Sequence, residues 1–256
     1  MNLFQTLEST AKRGVDGLTQ DARHDMVVAI QGQCASEGGH TGLSGKAPDP
    51  YYSFFAWLTL RALTNTSPAS LEQYFATCTA RSPIDHFCKA FVSLQGMPAF
   101  KRKFASLSFF LRYTPRDPYT LFLAGLMLGI SFPRLAPVLL RLARTNKTQA
   151  LSTSRLAAQL LSKPCAPDVP LLREKLLQRH SETGGFASAD NASPDLLATA
   201  VARIALSGEH LDNTNDLLFT EACWCPDDLF SATPGLPHGD VEHTYYALLV
   251  LGTCRV

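Results

Sequence analysis

The chain has 256 residues, 46% of them hydrophobic and 18% charged, with a formal net charge of +1. A chain of this length and apolar content can bury a substantial core, while its near-neutral balance gives no global reason to expect nucleic acid or an anionic membrane as a partner. The first eight residues carry an acid where a secretory leader needs a basic end and an apolar run, and the longest apolar stretch, residues 121–130, is about half the length of a membrane-spanning helix.

In chain order, the hydrophobic periodicity gives an extra N-terminal helix within residues 1–14 and then six helix pairs. The first member of each pair is amphipathic: residues 21–33, 68–80, 98–111, 133–144, 169–179 and 210–222. The second member is apolar nearly all round and starts near Asp49, Asp85, Asp117, Thr148, Asp195 and Asp240 respectively. A helix apolar on every side is surrounded by others, and one with a wet face lies outside. The expected fold is therefore all-α, a single domain over residues 1–256. Its six inner/outer hairpins close as an α/α toroid, with an open helical solenoid as the structural alternative.

Seven cysteines form an odd set in apolar surroundings, which fits free thiols in a reducing cytoplasm. Cys223-Trp224-Cys225 lacks both the two-residue gap and the second pair of a zinc knuckle; it reads as structural thiols, with metal binding as the alternative.

Overlaid on the helices is a repeated phrase: a Gly-Gly turn, a polar stretch, an Asp and an apolar helix. It runs from Gly38-Gly39 to Asp49 and from Gly184-Gly185 to Asp195, and recurs without the glycines before Asp240. The helix starts are 36 residues apart between Asp49 and Asp85 but 47 between Thr148 and Asp195 and 45 between Asp195 and Asp240. The long connections thus belong to repeats one, five and six, which become neighbours if the ring closes. Parallel inner helices would present their N-termini on that rim, a setting suited to an anion. The Asp residues themselves are expected chiefly to cap their helices.

The polar groups that depart from capping gather in the same repeats: His40, Lys46, Tyr51, Tyr52, Thr199, His238, Glu242, His243, Tyr245 and Tyr246. Inner helices carry such groups where they find partners or face a cavity. The expectation is the mouth of a central pocket walled by Phe54, Phe55, Trp57, Phe87, Phe91 and Phe122; the alternative is that these aromatics fill a tight core.

The stretches Gln178-Arg179-His180-Ser181-Glu182-Thr183-Gly184-Gly185-Phe186 and Gln31 to Gly39 resemble the repeat of squalene cyclases and of the β subunits of protein prenyltransferases, and their uncharacterised bacterial relatives. The resemblance implies the toroid and a prenyltransferase-like transferase, or an isoprenoid-binding protein. Lys46 would hold an anionic head, with His40, Tyr51, Thr199, Tyr245, Tyr246 and Trp57 binding the ligand. His243, Tyr52 and Asp49 would be the catalytic or orienting groups. Asp240 to Thr244 matches the family's Asp-x-x-His-Thr phrase, so Asp195, Asp240 and His243 are the candidate zinc ligands. Tyr51 stands where the family has its zinc Cys, and Leu43 where it has a phosphate-binding Arg. These departures point to the second expectation, a non-catalytic toroid scaffold for a protein partner. The resemblance also implies a helical-repeat partner protein, for which the surface at residues 104–110 is a candidate.

Overall fold

The computed structural model describes residues 3–36, 38–41, 47–112, 118–132, 136, 138, 152–162, 166–211 and 213–255. Among these are twelve α-helices: α1 (Leu3–Asp16), α2 (Gln20–Gly32), α3 (Pro50–Thr64), α4 (Ala69–Thr77), α5 (Pro83–Gly96), α6 (Ala99–Arg112), α7 (Pro118–Ser131), α8 (Thr153–Ser162), α9 (Val169–Leu177), α10 (Leu196–Ala205), α11 (Asn213–Ala222) and α12 (Val241–Cys254). The only strands among the described residues are β1 (Phe186–Ala187) and β2 (Pro194–Asp195), a two-residue antiparallel ribbon.

Local chemistry fixes the helix starts. Asp49, Asp195 and Asp240 are N-caps: each carboxylate accepts from the backbone N–H three residues on, at Tyr52, Ala198 and His243. Each cap is worth about 1 kcal/mol. Asp85 is different. Ser82 caps α5 and Asp85 closes the capping box from the third helical position, so the expected start there moves upstream. Asp117 and Thr148 lie outside the described residues, as does nearly all of the expected helix at 133–144; α8 is described from Thr153.

α3 packs on α5, α5 on α7, α7 on α8, α8 on α10, α10 on α12, and α12 on α3. The amphipathic helices lie against this set: α2 and α4 on α3, α6 on α7, α9 on α8 and α11 on α12. α1 contacts α3, α7 and α12. It is no appendage: Gly14 and Gly252 let two backbones meet, since a Cβ on Gly14 would lie 2.0 Å from the Leu248 carbonyl oxygen and one on Gly252 1.8 Å from that of Thr10. Phe4, Ala11 and Val15 of α1 enter the core shared with α3, α5 and α12.

The repeated phrase is a small backbone device seen three times. Cys34 bridges His40, His180 bridges Phe186, and Trp224 bridges Phe230, each pair six residues apart around a tight turn. Gly38 (φ 91°), Gly184 (φ 94°) and Asp228 (φ 60°) hold the same left-handed place in that turn. Asp228-Leu229 thus stands where the other copies have Gly-Gly. The chain then runs back so that a hydroxyl inside the following helix accepts a backbone N–H: His40 to Ser53 at 2.9 Å, Phe186 to Thr199 at 2.9 Å, and Phe230 to Thr244 at 3.0 Å.

Candidate functional site

The N-termini of α3, α10 and α12 bring carboxylates, an imidazole and tyrosines to one place. Tyr51 on α3 donates to Glu242 Oε1 on α12 at 2.5 Å, joining residues 191 positions apart. His243 Nδ1 lies 2.8 Å from Asp240 Oδ2, whose other oxygen accepts from the His243 backbone N–H at 2.9 Å. Burial pushes the His243 imidazole down, but the Asp240 hydrogen bond and the charges of Asp240, Glu242 and Asp195 outweigh it, and the net shift is upward. Burial raises Glu242 despite the bond from Tyr51, with the charges of Asp240 and Asp49 adding to the rise. Asp195 is likewise raised by burial, against hydrogen bonds from Ala198 and Ser188. Tyr52 is raised by burial and by the charges of Asp240, Glu242 and Asp49. Three carboxylates, Asp240, Glu242 and Asp195, therefore act on one imidazole across this rim, and a fourth, Asp49, acts on Glu242 and Tyr52.

Below the rim lie two apolar cavities of about 100 Å³ and about 240 Å³ that share the walls Tyr51, Ile84, Phe122, Leu161, Val201 and Tyr246. Phe54, Phe55, Phe87 and Phe91 line the first, as expected, together with Tyr245. α1 supplies Phe4 and Leu7, a wall that sequence reasoning missed. Cys88 also faces this cavity, and burial drives its thiol well above the usual range, leaving it neutral.

Several expected site residues have other work. Trp57 is fully buried away from the cavity lining; its indole N–H donates to Ser67 Oγ at 3.1 Å and the Arg61 guanidinium sits 5.1 Å over its ring. Thr199 is a backbone clamp, donating to the Asp195 carbonyl at 2.6 Å while accepting from Phe186. His40 is fully buried, and burial lowers its imidazole to about 4 despite the charge of Asp240, so it is neutral. His238 is exposed and lies 3.4 Å from Asp227. Lys46 and Leu43 lie outside the described residues. Tyr51, Tyr52, Asp49, Tyr245, Tyr246 and His243 do come together around the rim and cavity.

Glu242 stands among the polar departures without a role of its own in the sequence reading; the signal for it is an acid in the first turn of a helix that is apolar from Ala247 to Leu251. The metal candidates do not form a ligand set. Asp240 is committed to His243, Asp195 caps α10, and among the described residues no three His, Cys, Asp or Glu side chains are placed to hold a metal ion. Cys223 and Cys225 are buried free thiols, as are Cys88 and Cys254, while Cys34 and Cys78 are free and half-buried.

The rim also departs from the anion site expected of helix N-termini. The N–H groups of Tyr52, Ala198 and His243 are taken by Asp carboxylates, and those carboxylates add negative charge where an anion would sit. Comparison with known proteins gives no family: no family model matches the chain, and no curated protein matches it.

Proposed function

We propose that the six hairpins close as an α/α toroid whose central cavity binds an apolar chain of the isoprenoid kind, its polar end at the Tyr51–Glu242–His243 rim. The cycle of contacts from α3 through α12 back to α3, and the Tyr51–Glu242 bond across the first and last inner helices, favour a closed ring over an open solenoid. The observation that carries the ligand reading is the aromatic cavity bounded at one end by polar groups, the usual form of a small-molecule site.

The head group follows from charge. Four carboxylates at the rim repel a diphosphate, whereas an alcohol can hydrogen-bond Glu242 or His243, and a protonated amine gains from the same carboxylates. The reading is binding rather than prenyl transfer. Zinc-dependent transfer needs three protein ligands around the ion, and the described residues do not supply them.

A thermal-shift series tests this with farnesol, farnesylamine and farnesyl diphosphate. The alcohol and the amine are expected to raise the melting temperature by about 2–5 °C at saturating concentration, and the diphosphate by less. A larger shift with the diphosphate would contradict the head-group assignment. No shift with any of the three would remove the ligand reading and leave a partner-binding scaffold.

A further inference from the structure

The net charge of +1 conceals a strong segregation. Residues 86–167 carry twelve of the 23 lysines and arginines but one of the 22 aspartates and glutamates, so this stretch is strongly basic and the remainder acidic. Within it α6 has four basic residues and no acid. One face of α6 is held to α7 through Ser106, whose hydroxyl bonds the Met127 carbonyl at 3.2 Å and meets Ser131 Oγ at 2.7 Å. The opposite face carries Phe100, Phe104, Leu107 and Leu111, which are 81%, 70%, 39% and 65% exposed. Their spacing of four, three and four residues aligns them in one stripe along the helix. Lys101 and Arg112 lie on one side of the stripe and Lys103 on the other, the last placed 5.9 Å over the Phe132 ring.

We infer that α6 is an interfacial helix that docks the protein on an anionic lipid bilayer. Exposed Phe and Leu in one row with Lys and Arg beside them is the pattern of a helix lying in the headgroup region, its apolar face in the acyl boundary. The basic flanks fit anionic headgroups and set the stripe against its equivalent on a second copy, where like charges would oppose. Aliphatic Leu107 and Leu111 have no base to stack on, so a nucleic acid uses only part of the surface. The inference is independent of the cavity reading, because no α6 residue lines the cavities.

Flotation of the full chain with vesicles decides it. Binding is expected to mixed phosphatidylcholine–phosphatidylglycerol vesicles, to weaken with salt, and to be much lower with phosphatidylcholine alone. Phe104→Ser is expected to reduce it about tenfold or more, and Lys101→Gln about fivefold. Both side chains are exposed, so unchanged thermal unfolding of the variants confirms that folding is intact. No flotation with the mixed vesicles, or flotation that neither variant weakens, overturns the inference. So does a stripe that Phe104→Ser shows to serve only single-stranded RNA retention or self-association.

Discussion

His243 holds an imidazole above its ordinary value because Asp240, Glu242 and Asp195 surround it, and this has a definite consequence for stability. A group whose folded value is raised contributes stability that is present below the unfolded value, about 6.5 for histidine, and lost as pH rises through the folded value. His40 behaves in the opposite sense: its folded value near 4 means stability present above the ordinary value and lost as pH falls toward 4. The difference between wild type and His243→Gln cancels the His40 contribution. In urea unfolding, that difference is expected to be larger near about pH 6 than near about pH 8.5. A difference that is flat over this range, or larger at high pH, would mean that His243 does not gain a proton-dependent partner in the fold. The pairing was legible as far as the Asp-x-x-His spacing went, because residues three apart share a helix face. The cross-helix bond from Tyr51 was not legible, since no local rule ties position 51 to position 242.

The turn that precedes α3, α10 and α12 shows how one backbone form is specified by different residues. Gly184 sits at φ 94° with its missing Cβ 2.1 Å from the Asn215 carbonyl oxygen, while at Gly38 the nearest atom, the Ser70 carbonyl oxygen, is 2.9 Å away. Gly184→Ala is therefore expected to cost roughly 2–3 kcal/mol, more than Gly38→Ala. Asp228 carries a side chain at the same place with φ 60°, so Asp228→Gly should lie within about 1 kcal/mol of wild type, relief of the left-handed strain offsetting glycine's added chain entropy. Equal losses at Gly38 and Gly184 in calorimetric unfolding would contradict the closer backbone contact at Gly184, and a large loss at Asp228 would contradict the shared turn geometry. Helix starts were well read wherever an Asp caps directly; Asp85 misled because a serine three residues earlier takes the cap and the acid completes the box. Trp57 misled for a different reason. A helix apolar on every side gives no sequence signal of which face meets the cavity, and the indole turns instead to Ser67 and Arg61.

At the scale of the molecule, the alternation of wet and dry helices made the all-α character readable, because burial sets the pattern. The role of α1 was not readable. Its seat depends on two glycines, Gly14 and Gly252, brought together by the fold from near opposite ends of the chain, and it is this contact that carries Phe4 and Leu7 to the cavity. The rim and the cavity likewise depend on contacts between helices distant in the chain: α3, α10 and α12 contribute the polar groups while α5 and α7 supply much of the apolar wall. The most direct measurement is titration calorimetry of farnesol into wild type and into Val201→Phe, which puts a larger ring where both cavities share a wall. Expected is saturable binding with a negative heat-capacity change in wild type, and a loss of about tenfold or more in the variant while it stays folded. Binding of equal strength in both proteins, or none in wild type, would contradict a ligand in the central cavity.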